Sequence, residues 1–287
     1  MPMRYCARKF ADAEIERIRK IITEEPRRSR AEISRVVCEQ LGWYKPDGGL
    51  KQMSCRVALL RMQADGLIEL PPPRNGNGNQ KPYNRRSEAT EPQLPLCNTV
   101  GALTDLQLNP VSSRAQSHLW NQYIDRYHYL GYKPLPGAQL RYLATSQGQI
   151  LALLGFAAAA WKAAPRDRFI GWSHETRQKN LHLVLNNARF LILPWIRSKN
   201  LASKLLSLVS KRIAQDWSHR YHYRPVLMET FVESQRFHGT CYKAANWIHV
   251  GDTKGRGKLD VHNRAALPVK QIYLYPLTKE FKRILCS

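Results

Sequence analysis

The sequence predicts an α+β / α/β protein in which a small helical module is joined by a linker to a larger domain built on a mixed sheet. Three observations predict it. Apolar residues recur at helical spacing through residues 12–64, whereas RFLILPWI (189–196) and VLMETFV (226–232) are continuously apolar, as strands buried on both faces are. Residues 71–97 are rich in Pro, Asn, Gly and charge and carry no apolar period, which reads as a linker. Beyond it the order is helix, hairpin, long strand, helix, strand, helix, strand. The expected boundaries are 1–70, 71–97 and 98–287.

The first module contains three helices. Asp12 caps a helix to about Glu24, with Ile15, Ile18 and Ile22 on one face. Ser29 with Glu32 three residues on is a capping box, and Ile33, Val36, Val37 and Leu41 form the apolar face of the helix it opens. A third helix spans about Met53–Ala64, carrying Val57, Leu60 and Met62, and Gly66 turns the chain into a short strand. This resembles a winged helix-turn-helix, whose third helix lies in the major groove of DNA. That resemblance implies DNA contacts from Lys51, Gln52, Ser54, Arg56 and Arg61, since Arg and Gln can pair with base edges. The alternative is a module that docks protein.

In the larger domain, residues 115–130 read as a helix with Leu119, Tyr123 and Tyr127 on one face, and AQLRYLATSQGQILALLGFAAAA as a hairpin turning at SQGQ. The buried strand 189–196 leads into an amphipathic helix, LASKLLSLVSKRIAQDW, with Leu201, Leu205, Val209, Ile213 and Trp217 inside. The strand 226–232, a short helix TCYKAAN, and strands in WIHVGDT and KQIYLYP complete the order.

Composition narrows the function classes. The net charge is +23, divided as +4 in residues 1–70 (14 Lys and Arg against 10 Asp and Glu) and +19 in residues 71–287 (31 against 12). A field of that sign attracts polyanions, so nucleic acid, DNA first, is the expected partner. No apolar run is long enough to span a bilayer, no basic amphipathic helix suggests a membrane surface, and MPMRYCARKF lacks the apolar stretch of a secretory signal. The six cysteines form no CxxC pair, which argues against a metal or disulfide framework and for a reducing cytoplasm.

Two loops follow the buried strands. RSKNLA (197–202) stands before a helix, where backbone N–H groups and the positive helix end suit a pyrophosphate. It resembles the R/Q-x-x-G-x-G/A motif of the GNAT acyltransferases, with Arg197, Asn200 and Ala202 at the matching positions and Lys199 and Leu201 between them. Asn tolerates φ > 0, so Asn200 can stand for the first glycine. YKAANW is similar to that family's Y-x-x-x-G-F, with Tyr242, Asn246 and Trp247 at the marked positions. The resemblance implies a GNAT-like fold, coenzyme A or acetyl-CoA as cofactor, and Tyr242 as the acid that protonates the leaving thiolate, a role that suits a phenol. The alternative is the same scaffold with no acyl donor.

Longer blocks, YHYLGYKPLPGAQLRYL, NNARFLILPWIRSKNLAS, ETFVESQRFHGTCYKAANW and GDTKGRG among them, resemble the DruA proteins of the Druantia anti-phage system. The resemblance implies antiviral defence or, since the module also accompanies transposase-like proteins, mobile DNA. Partner proteins from such systems, and a transposon-associated DNA-processing activity, are part of that expectation.

Other residues remain candidates. Glu229, in mid-strand, must be paired, protonated or at a site, so it is a candidate base; the alternative is an ion pair with Arg189 or Arg236. Asn186, Asn187 and Arg189 form either a turn or a nucleotide contact. Arg236, Gly239 and Thr240 could orient an anion. GDTKGRGK (251–258), with Lys254 and Arg256, is either a phosphate-gripping turn or a surface loop. Asp167, Glu229 and Asp252 are the one carboxylate triple worth naming for a metal, and no nuclease or zinc motif marks it.

Overall fold

The computed structural model describes residues 3–74, 87–256 and 267–287. The chain divides into two compact units, Met1–Pro82 and Tyr83–Ser287.

The first unit opens with a hairpin of β1 (Met3–Tyr5) and β2 (Arg8–Phe10), followed by α1 (Asp12–Glu24), α2 (Arg30–Gln40) and α3 (Gln52–Ala64). The Ser29–Glu32 capping box forms as the spacing predicts. Ile15, Ile18, Ile21, Ile33, Val37, Cys38, Cys55, Leu59 and Met62 fill the core. One expectation changes. The residues after Gly66 form no strand, and the hairpin lies ahead of the helices, so the arrangement read as a winged helix is not what is seen. The inward face of α3 consists of Cys55, Ala58, Leu59 and Met62, and Met53, Val57 and Leu60 are exposed.

The second unit is a seven-stranded mixed sheet with helices on both faces. Its elements are β3 (Gln107–Pro110), α4 (Arg114–Tyr127), β4 (Gln139–Ser146), β5 (Gln149–Ala158), α5 (Ala164–Ile170), α6 (His174–Asn180), β6 (Val184–Ile192), α7 (Leu201–Tyr221), β7 (Leu227–Glu233), α8 (Thr240–Ala244), β8 (Ile248–Asp252), β9 (Lys270–Pro276) and α9 (Phe281–Cys286). The strand order is β3-β4-β5-β6-β7-β9-β8. All neighbours are antiparallel except β6 and β7, which are parallel and connected through α7.

Strand alternation assigns the faces. Phe156, Met228 and Val232 join the core with Leu205, Val209 and Trp217 of α7. On the other face, Gly155 and Arg141 meet α4, and Leu227 packs with Ile170 of α5 and Phe281 of α9. The end of the expected linker belongs to this unit. Tyr123 and Tyr127 of α4 donate to the carbonyls of Ala89 and Thr90 (2.9 and 2.7 Å), and Leu96 bridges to the segment after β6. The expected linker residues 75–86 lie outside the described residues. No helix among the described residues is long and apolar enough to cross a membrane.

Candidate functional site

The parallel pair β6–β7 holds over three residue pairs, Val184↔Leu227, Leu185↔Met228 and Asn186↔Glu229, and the strands then part. In this fold class, ligands gather beyond the carboxyl ends of such strands. A bulge in β6 shapes the split. Gly155 of β5 faces Arg189 and Phe156 faces Asn187, so Ala188 is extra. The bulge puts Asn187 and Phe190 on the same face, which a regular strand would forbid. Gly155 has no room for a side chain, since a Cβ there would lie 2.9 Å from the Trp120 ring.

On the α7/α8 face, a hydrogen-bonded trio spans the split. The Tyr242 hydroxyl donates to Asn187 Oδ1 (2.8 Å), and Thr230 Oγ1 donates to the Asn187 carbonyl (3.1 Å) and lies 3.4 Å from the Tyr242 hydroxyl. Asn187 Nδ2 donates to the carbonyls of Gly155 (3.3 Å) and Arg189 (3.1 Å), on either side of the bulge. Tyr242 stacks on Tyr273 at 5.8 Å and meets Trp247 and Phe190 edge-on. Burial pushes its phenol well above the usual range. Gly239 owes its identity to this packing, because a Cβ there would collide with the Tyr273 hydroxyl.

Glu229 lies on the opposite face, as its place next to Thr230 requires. Its carboxylate accepts from the Ala160 N–H (2.7 Å) and from Arg166 Nη1 (2.8 Å). Arg166 also pairs with Asp167, which accepts from Trp172 Nε1 (3.1 Å) and Arg177 Nη1 (3.3 Å). Burial pushes the Glu229 carboxyl up and Arg166 opposes that shift. Glu229 and Tyr242 therefore share no cleft, which corrects the expected acid and base pair. The ion-pair alternative for Glu229 holds, with Arg166 as partner; Arg236 pairs instead with Glu233 (2.9 Å). The carboxylates Asp167 and Glu229 do converge, but on the guanidinium of Arg166, and Asp252 lies with His249 (3.0 Å). Among the described residues, no group of three or more His, Cys, Asp or Glu is placed to hold a metal ion.

The carboxyl end of the sheet collects cations. Arg197 and Lys199, both exposed, follow β6. Asn200 takes φ 65° at the N-cap of the 21-residue α7, whereas Leu201 is a core residue, which removes it from the expected anion loop. Arg236 and the exposed Thr240 follow β7, and Asn246, φ 61°, follows α8. Lys254 and Arg256, also exposed, follow β8, at the same end of the sheet but two strands from β7; the remainder of that loop, from residue 257, lies outside the described residues. Arg189 faces the α4 side, beside His128 and Tyr129. His128, Tyr129 and Phe237 carry no site expectation from the sequence, although YHY (127–129) at the end of a helix is a visible aromatic cluster.

Residues 62–267 match the family model described as Druantia protein DruA. The chain belongs to the DruA family. A comparison with curated proteins gives no match. Among solved structures, this DruA-family chain is similar to polyamine N-acetyltransferase of Drosophila melanogaster (12% identity, 59% of this chain and 100% of that one, TM-score 0.38). It is also similar to a GNAT-family acetyltransferase of Streptococcus pneumoniae (10%, 60% and 100%, 0.38). A third is the aminoglycoside acetyltransferase AAC(6')-Ib, solved with coenzyme A and kanamycin (14%, 62% and 98%, 0.37). What the chain shows by itself is a seven-stranded mixed sheet with one parallel pair, β6 and β7, that parts after three residue pairs.

Coenzyme A fits this DruA-family split only in part. The turn at Arg197–Ala202 suits a pyrophosphate, but Tyr242, Asn187 and Thr230 hydrogen-bond to one another across the start of the split. The residues present do not fit the whole group, and no acyl-transfer step follows from them.

The DNA candidates of the first unit lie in and beside α3. Lys51, Gln52 and Ser54 are half-buried, Arg56 approaches Ser34 Oγ (3.4 Å), and Arg61 is exposed.

Proposed function

We propose that this DruA-family chain is a nucleic-acid-binding component of anti-phage defence, DNA being the favoured polymer, and that the carboxyl end of its larger sheet meets the phosphates. One observation carries this reading. The carboxylates of the larger unit are largely consumed within it. Asp105 accepts from Ser146 and Gln147, Asp216 from Arg212 and Tyr142, and Asp167, Glu229 and Glu233 pair with arginines. Arg197, Lys199, Lys204, Lys211, Lys243, Lys254 and Arg256 are exposed and belong to no ion pair among the described residues. The outward field is therefore positive, and a polyanion is its natural complement. In the first unit, α3 adds a second, weaker DNA contact through Arg61. Service beside defence-system or mobile-element proteins, including a DNA-processing one, begins with the same binding step.

Affinity for a labelled duplex and a labelled single strand, measured across salt concentrations, tests this. A log–log slope of about −0.9 per phosphate contacted on duplex DNA is expected. A flat slope overturns the reading. The double substitution Arg197→Glu with Lys199→Glu should weaken binding at least ~10-fold, with a shallower slope.

A second reading, acyl transfer from coenzyme A to a nucleic acid or a bound protein, is favoured by the Asn200 turn ahead of α7 and opposed by the trio across the split. It requires acetyl-CoA to raise the melting temperature.

A further inference from the structure

On the α4 side, the mouth of the split carries a cluster of rings and cations. Arg189 is half-buried. Its Nη1 donates to the Ala188 carbonyl (2.7 Å), its Nε is buried with no hydrogen-bond partner, and no carboxylate among the described residues pairs with it. A guanidinium held in this way lacks the anion that burial demands. Its field is felt next door, where burial and the Arg189 charge push the His128 imidazole down to about 4. His128 stacks on Tyr129 at 4.9 Å, and Tyr129 lies 5.5 Å from Phe237. The Arg236 guanidinium stands 5.3 Å from the Tyr129 ring, with its Nε on the Glu233 carboxylate (2.9 Å). Phe237 is 48% exposed.

The cluster thus offers a half-buried cation with no carboxylate partner among the described residues, a second, exposed cation that pairs with Glu233, and an apolar ring beside them. A phosphate satisfies a guanidinium with two hydrogen bonds, and a base stacks on an aromatic ring. A base inside a duplex presents no free face, and a recessed arginine is awkward for the broad backbone of a duplex to reach. We propose that the mouth of the split binds one unstacked nucleotide of a single-stranded nucleic acid, with Arg189 and Arg236 on the phosphate and Phe237 on the base. This rests on the nucleic-acid reading above and adds the strandedness of the ligand.

The test uses the full chain with a short fluorescein-labelled oligothymidylate and with the matching duplex. Phe237→Ala, an exposed change that leaves the core intact, should weaken single-strand binding by about tenfold and leave duplex binding within about twofold. Arg189→Gln should also weaken the single strand and make its salt slope shallower by about 0.7. If both variants bind the single strand as the parent does, or lose duplex affinity equally, the proposal falls. Parent protein that binds duplex but not single strand overturns this proposal alone. Parent protein that binds neither at low salt overturns the nucleic-acid reading, and this proposal with it.

Discussion

The Tyr242 hydroxyl donates a buried hydrogen bond to Asn187 Oδ1 across the split. Tyr242→Phe leaves Asn187 Oδ1 without that donor, so stability should fall by about 1–3 kcal/mol. Urea unfolding checks this as a lower midpoint with an unchanged slope, and nucleic-acid affinity should stay as it was. On the other face, Arg166→Met leaves Glu229 charged, buried and unpaired, and should cost about 3–5 kcal/mol. His128 links stability to pH. The folded protein protonates it only near 4 and an unfolded chain near 6.5, so the unfolded state binds more protons between those values. Stability should rise with pH through that window and be lost as pH falls from 6.5 toward 4; in melting curves across that range, His128→Gln should flatten the dependence. At this scale the sequence was legible where a residue's own backbone preference decides, as with the left-handed Asn200. It was not legible where a partner is distant. Glu229 finds Arg166, 63 positions earlier, and no local pattern marks that pairing.

The elements that declared themselves are those with a strong period or a long apolar run. The 21-residue α7 carries its apolar stripe over several turns, and VLMETFV becomes β7 shifted by one residue. RFLILPWI predicted only part of β6, which begins earlier at Val184 because polar Asn186 and Asn187 interrupt the apolar pattern. The hairpin β1–β2 escaped notice, since its strands have three residues each and turn through Cys6 and Ala7, residue types that rarely take φ > 0. The inward face of α3 is not legible from its large apolar residues. Close packing on α2 selects the small Cys55 and Ala58, and Met53, Val57 and Leu60 are left outward. That outward face decides what α3 does. If it enters a groove, Arg61→Ala should cost about 1–3 kcal/mol of duplex affinity by fluorescence anisotropy. An unchanged affinity would make α3 a protein-docking helix.

At the scale of the molecule, the +19 read in residues 71–287 gains force once their carboxylates are seen to be tied up inside. Acetyl-CoA should leave the melting temperature unchanged and DNA should raise it, because only a ligand of the native state shifts that equilibrium. A clear rise with acetyl-CoA would restore the acyltransferase reading. Three rungs join β6 to β7, so the sheet consists of a four-stranded antiparallel block, β3 to β6, and a three-stranded one of β7, β9 and β8. Each block is continuous in sequence and can form before the other. Tyr242 with Asn187 on one face and Glu229 with Arg166 on the other are then staples across a seam. Native-state hydrogen exchange should divide the molecule along this line. Amides inside each block would exchange only through global unfolding, and those beside the Asn186–Glu229 rung through a smaller opening. The protein would breathe along one line, and that line ends beside Arg189, whose buried Nε has no hydrogen-bond partner.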